Sequence, residues 1–213
     1  MKTYDYCIWD FNGTLLDDVG AGISSVNTLL SERGLPVIPS VDYYRGIFRF
    51  PIIEYYKSLG FDFDSEPYEE LAPKWVKLYL ENVCSSELFG DVLSTLEYMK
   101  GRGIKQIILS ATEREMLKGQ LDFLGITDYF EEILGLDNIH AGSKLSLAQD
   151  WKARHEGARA FLIGDTDHDA QSAKALDADC VLVCRGHQSR KHLLTLGCPV
   201  FNTLVEVKAW LEN

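Results

Sequence analysis

The chain has 213 residues, enough for one large α/β domain or a domain carrying a modest insertion around a sizeable core. Hydrophobic residues make up 46% and charged residues 25%, near the average of folded domains, which excludes a disordered, collagen-like or coiled-coil chain. Lysine and arginine number 21 against 32 aspartates and glutamates, and the net charge of -11 disfavours nucleic acid and acidic membrane surfaces as partners. An anionic small substrate fits that field only where local cations or a bound metal invert it.

In chain order, Tyr6-Cys7-Ile8-Trp9 is a short apolar run of strand type. From about Val19 to Glu87 the pattern is helical, with no convincing strand. Ile23, Val26 and Leu30 precede Gly34; Pro51 opens Ile52, Tyr55, Tyr56 and Leu59 before Gly60; and Pro73 should kink or split a helix from Tyr68 to Val83. Val92, Leu93, Leu96 and Met99 then form a helical stripe, followed by the strand-like Ile107-Ile108-Leu109 and a second stripe of Leu117, Leu121 and Leu124 before Gly125. Two further strand-like runs are Ala160 to Ile163 and Cys180 to Val183. Strands alternating with helices predict a doubly wound, Rossmann-like parallel sheet built from residues 1–17 and 88–213, with residues 18–87 as an inserted helical domain. The five scattered cysteines, with no Cys-x-x-Cys pair, read as free and mostly buried thiols. No window reaches the roughly 18 apolar residues of a membrane span, and no leader-like segment opens the chain, so a cytoplasmic protein is expected.

Three of the four strand-like runs end in small polar clusters: Asp10-Phe11-Asn12-Gly13-Thr14, Ser110-Ala111-Thr112, and Gly164-Asp165-Thr166-Asp167-His168-Asp169. In an open parallel sheet such ends converge on one crevice. Asp10, Asp165 and Asp169 are hard oxygen donors suited to Mg²⁺, and an aspartate can also act as a covalent nucleophile. Ser110 and Thr112 bring hydroxyls, and the backbone N–H groups of the Asn12-Gly13-Thr14 turn could cradle an anionic oxygen. Several of these residues have local roles as well: Ser110 opens a Ser-x-x-Glu capping pattern with Glu113, and the acidic stretch from Asp165 to Asp169 suits a helix N-terminus. In the insertion, Arg45 and Arg49 flank Gly46-Ile47-Phe48 and are candidates for binding a substrate carboxylate.

Over essentially its whole length the chain resembles haloacid dehalogenase superfamily hydrolases with a helical cap, nearest to the phosphoglycolate phosphatase-like branch. The resemblance implies that Asp10 is a nucleophile forming an aspartyl-phosphate, that Ser110 holds a phosphoryl oxygen with Ala111 and Thr112 beside it, and that Gly13 and Thr14 line the phosphoryl site. It implies Mg²⁺ held by Asp10, the Asn12 carbonyl and Asp165, with Asp169 in close support. Lys144, in Ala141-Gly142-Ser143-Lys144, falls at the phosphoryl-neutralising lysine, although Leu145 stands where the family often has proline. One position departs: Asn12 replaces the aspartate that protonates the leaving oxygen and then activates water, and an amide has no such proton to give. His168 is the nearest substitute acid by sequence, and an acyl or aryl leaving group would need less help. The expected activity is Mg²⁺-dependent hydrolysis of a small phosphate monoester, by a monomer or homodimer. Alternatives are a weakly catalytic phosphate-binding regulator, owing to Asn12, and a metal-independent 2-haloacid dehalogenase. A receiver domain is too short for this length, and a phosphomutase depends even more on the missing aspartate.

Overall fold

The computed structural model describes residues 2–139 and 143–213. Its elements, in order, are β1 (Tyr6–Trp9), α1 (Val19–Glu32), α2 (Val41–Ile47), α3 (Ile52–Ser58), α4 (Tyr68–Val83), α5 (Val92–Gly101), β2 (Lys105–Glu113), α6 (Arg114–Phe123), β3 (Glu132–Leu136), α7 (Leu145–Arg154), β4 (Ala160–Gly164), α8 (Asp167–Leu176), β5 (Asp179–Val183), α9 (Arg190–Leu193), β6 (Val200–Phe201) and α10 (Leu204–Glu212). The six strands form one parallel sheet in the order β3-β2-β1-β4-β5-β6. Successive strands run outward from β1 in one direction to β3, then restart at β4 on its other side, so the topological switch lies beside β1.

Alternating residues of each central strand face opposite layers. Cys7, Trp9, Ile108, Phe161 and Ile163 pack with Leu96 and Met99 of α5, Leu117 of α6 and Val207 of α10. Ile8, Ile107, Leu109 and Leu162 face the other way, onto Ala148 and Trp151 of α7 and Ala173 and Leu176 of α8. Burial on both faces explains why these strands read as continuous apolar runs. In the α5 stripe Leu93 departs from expectation: it is 51% exposed, while Val92, Leu96 and Met99 are buried. Of the cysteines only Cys7 is buried; Cys84 is exposed and the other three are half-buried.

Helices α1 to α4 gather around a hydrophobic cluster of their own, which includes Val26, Leu30, Tyr44, Tyr56 and Leu71. The chain leaving β1 and the chain returning to the sheet run side by side, with Asp17 N donating to Glu87 O at 2.9 Å and Phe89 N to Leu15 O at 3.0 Å. Pro51 precedes α3 as expected, but Pro73 does not split α4, which runs unbroken from Tyr68 to Val83. Pro73 and Glu69, whose carbonyl loses its helical donor, are both exposed, so water can take that oxygen. Among the described residues no helix is long and apolar enough to cross a membrane.

A fork of charge ties this helical layer together. Arg33, at the end of α1, donates Nε and Nη2 to the two oxygens of Glu66 at 2.7 and 2.6 Å, and Lys74 of α4 adds a third bond at 2.6 Å. Hydrogen bonds from Arg33 and then Lys74 hold the Glu66 carboxyl down at about 2. A depressed carboxyl stabilises the fold above its ordinary value of 4.5, and the contribution is lost as pH falls toward 2. Glu66→Gln should therefore cost about 1 kcal/mol near neutral pH in urea unfolding, with the difference from wild type shrinking as the medium is acidified.

Candidate active site

Asp10 follows β1 directly, and its backbone N–H donates to Ile163 O at 2.9 Å, which fixes it between β1 and β4 at the switch point. Asp165 follows β4, and Asp169 lies one turn into α8. Oxygens of the three carboxylates lie within 4.8 Å of one another, and all three residues are buried. The cluster is held by Lys144, which precedes α7 and is itself only 2% exposed. Its ammonium donates to Asp10 Oδ1 at 2.5 Å, Asp169 Oδ1 at 2.6 Å and Leu109 O at 3.0 Å, so all three donors are engaged.

Electrostatics follow from this packing. Burial opposes the charge on Lys144, but Asp10 and Asp169 outweigh it and hold the ammonium protonated. Burial and then Asp169 push the Asp10 carboxyl well up, against the pull of Lys144. Asp165 rises to about 6, first through burial, with the neighbouring His187 charge opposing and Asp169 adding to the rise. Asp169 goes down despite burial, because Lys144 sits against it. One lysine is too little positive charge for three buried carboxylates.

Asp169 is the most heavily engaged of the three carboxylates. Beyond Lys144 on Oδ1, its Oδ2 accepts from Asp165 N, Thr166 N and Thr166 Oγ at 3.1, 2.9 and 2.7 Å. It thus ties Lys144 to the start of α8, and the acidic cap read in the sequence is a Thr166–Asp169 capping box. Asp165 is more open: it accepts from Thr14 Oγ at 3.1 Å and from His187 N at 2.6 Å. Gly13 makes this approach possible. At its φ of 73° a side chain is strained, and a Cβ there would fall 2.5 Å from Asp165 Oδ2 and 2.7 Å from His187 Cδ2.

Asn12 is locked at both ends. Its amide nitrogen donates to Asp18 Oδ2 at 2.9 Å and to Tyr79 OH at 2.7 Å, while its oxygen accepts from Thr112 Oγ at 2.8 Å. Thr112 in turn shares a hydrogen bond with Ser110 Oγ at 3.1 Å. Ser110 remains in β2 and does not cap α6; Glu113 is the N-cap, accepting from Glu115 N and Met116 N. Asp18 was missed in the sequence. It occupies the N-cap position of α1 without capping it, and instead accepts from Gly13 N at 2.8 Å, from Tyr79 OH at 2.7 Å, and pairs with His187 Nε2 at 3.3 Å. The other ring nitrogen of His187 is 2.7 Å from Tyr44 OH. Burial disfavours a charged His187, but Asp18, Asp165 and Asp10 overcome this and hold it at about 9; the same pairing pulls Asp18 down against its own burial.

His168 does not provide the missing acid. Burial, then Lys144, drives it down to about 4, and it stacks on Phe50 with ring centroids 4.6 Å apart. Arg45 and Arg49 also differ from expectation. Arg45 donates to Gly186 O at 2.8 Å and Arg185 O at 2.5 Å, strapping α2 to the loop after β5, and Arg49 is exposed with Nε on Ile47 O at 3.3 Å. Neither lines the cavity over Asp10, which has a volume of about 170 Å³. Asn12, Ser110, Ala111, Thr112, Lys144 and Asp165 do line it, beneath a roof of α2–α4 side chains. Ala141 and Gly142, from the lysine motif, lie outside the described residues.

The model of the haloacid dehalogenase-like hydrolase family matches residues 7–183. Phosphoglycolate phosphatase from Caulobacter vibrioides is 26% identical over 89% of this chain and 82% of its own length, and that from Aquifex aeolicus is 29% identical over 84% of each. Among solved structures, a haloacid dehalogenase-like family hydrolase from Streptococcus pneumoniae superposes with a TM-score of 0.82 at 20% identity, covering 99% of both chains. A predicted phosphatase from Clostridium acetobutylicum gives 0.77 at 20% identity over 100% of both. With a family match over most of its length, and a parallel sheet carrying acidic clusters at the ends of β1 and β4, this chain belongs to the haloacid dehalogenase-like hydrolases.

Proposed function

We propose that the chain is a Mg²⁺-dependent phosphomonoester hydrolase that works through an aspartyl-phosphate on Asp10. The observation carrying this reading is the buried Asp10 carboxylate, oriented by Lys144 through one oxygen and facing a cavity beneath the helical layer. The similarity to phosphoglycolate phosphatases points the same way.

The donor set fits a hard divalent ion. Asp10 and Asp165 are buried carboxylates raised by desolvation and by their neighbours, with only Lys144 and His187 to offset them. Asp10, Asp165 and the Asn12 carbonyl would hold Mg²⁺, with Asp169 supporting through Lys144, and the ion would supply charge neutralisation at the phosphoryl oxygens. Asp10 attacks phosphorus in line, and Lys144 aims that carboxylate and opposes the rise that burial and Asp169 impose on it. Ser110 Oγ and the Ala111 backbone would hold phosphoryl oxygens, whereas the turn expected to cradle an anion has its N–H groups taken, Gly13 N by Asp18 Oδ1 and Leu16 O and Thr14 N by Phe11 O. Closure of the helical layer excludes bulk water, leaving one molecule to hydrolyse the acyl phosphate. The cluster of Asp10, Asp165 and Asp169 argues against a metal-independent dehalogenase, since attack on carbon needs no divalent ion.

Phosphate release from p-nitrophenyl phosphate should require Mg²⁺, stop with a chelator, and fall at least about 10³-fold in Asp10→Asn. Equal rates in that variant, or without metal, contradict the reading; ligand-induced stabilisation without release favours the binding protein instead. Lys144→Met leaves Asp10 and Asp169 buried without their cation, and should lower unfolding stability by about 3–5 kcal/mol in urea titration. Asn12→Asp sets a second carboxylate against Asp18. Its stability should drop by about 1–3 kcal/mol near neutral pH and recover on acidification, as the pair takes up a shared proton.

A further inference from the structure

Resting on the phosphatase reading, we infer that the substrate is an aryl phosphate monoester, whose leaving group is a single aromatic ring and departs as the unprotonated aryloxide. Two features of the cavity carry this inference.

The first is that the proton donors on the cavity floor are committed. Both amide hydrogens of Asn12 are given to Asp18 and Tyr79. The ring nitrogens of His187 face Asp18 and Tyr44, Thr112 donates to Asn12, and Tyr79 donates to Asp18. Lys144 has no free hydrogen, and His168 Nε2 is 3.1 Å from Ser143 Oγ. Among the described cavity residues the buried hydroxyl without a hydrogen-bond partner, that of Tyr55, sits in the roof, and burial pushes its phenol up, which makes it a poor acid for a departing oxygen. A phenol ionises near roughly 10, against about 15.7 for water, so an aryloxide leaves without the help an alkoxide demands.

The second feature is the chemistry of the roof. It is built of aromatic and aliphatic side chains, Phe48, Ile52, Tyr55, Trp75 and Val76 among them, with Met116 at the side. The basic residues lining the cavity are Lys144, His168 and His187, all on the floor and each engaged with a protein partner; Arg45 is turned to main-chain carbonyls of the core. A carboxylate on the leaving group would therefore be desolvated without a partner, whereas a ring gains apolar contact. The volume of about 170 Å³ is comparable to the roughly 150 Å³ apolar cavity that takes benzene.

In the reaction an Asp10 oxygen bonds to phosphorus as the phosphorus–aryl oxygen bond breaks. The aryloxide leaves with the electron pair and takes a proton from solvent. Water then attacks phosphorus, the acyl–phosphoryl bond breaks, and the Asp10 carboxylate and inorganic phosphate are released.

The test compares four substrates on the wild-type protein with Mg²⁺. Phenyl phosphate has both ring and leaving group, benzyl phosphate the ring alone, acetyl phosphate the leaving group alone, and phosphoglycolate neither. Phenyl phosphate should exceed benzyl phosphate in kcat/KM by about 10²-fold or more, with benzyl phosphate acting as a competitive inhibitor. It should exceed acetyl phosphate in kcat/KM by at least about tenfold, and phosphoglycolate by more. Phosphoglycolate or acetyl phosphate turning over as well as phenyl phosphate overturns the aryl assignment and leaves the phosphatase reading standing. Release from none of the four removes the phosphatase reading, and this inference with it.

Discussion

The site is organised around one buried ammonium. Lys144 reaches Asp10 after β1, the Leu109 carbonyl of β2 and Asp169 in α8. Four segments distant in sequence are thus held to a single point at the switch in strand order. A lysine so placed is tolerable only because anions surround it, and the carboxylates are tolerable only because the lysine is there. The remaining excess of negative charge, on Asp165 and Asp10, is what the proposed divalent cation would neutralise.

A second balanced pair couples this floor to the helical layer. Asp18 and His187 neutralise each other, and through Tyr44, Tyr79 and Asn12 they connect α2, α4, the turn after β1 and the loop after β5. Asn12 fits this arrangement because it donates. An aspartate there would meet Asp18 as a like charge, so the amide is a structural consequence of its neighbour as well as a change in chemistry. The same network that removes a proton donor also closes the apolar roof over Asp10.

Much of the fold was legible because strands buried on both faces must be apolar throughout: Tyr6–Trp9 and Ala160–Ile163 appear in the sequence as they lie in the sheet. Strand β3 was not seen, since Glu132 and Gly135 interrupt its short run, and β6 spans only Val200 and Phe201. In the site, Asp10, Ser110, Lys144, Asp165 and Asp169 are brought together at or beside strand ends, where topology alone places them. The residues from elsewhere were harder. Nothing in the sequence singled out Asp18, and only its geometry reveals that it turns away from its own helix to Gly13 and His187. Arg45 looked like a substrate anchor, because sequence reveals a guanidinium but not the carbonyls of Arg185 and Gly186 that occupy it.

The most direct test of the account is chemical identification of the group that receives the phosphoryl. Protein quenched during turnover of an aryl phosphate with Mg²⁺, digested, and analysed by mass spectrometry should carry one phosphoryl group on the peptide containing Asp10, labile at alkaline pH as an acyl phosphate is. Asn12 cannot activate the hydrolytic water, so this species should accumulate rather than pass unseen. Phosphate released in steady turnover with the Asp10 peptide unmodified throughout, or the phosphoryl group found on another side chain, would contradict the account.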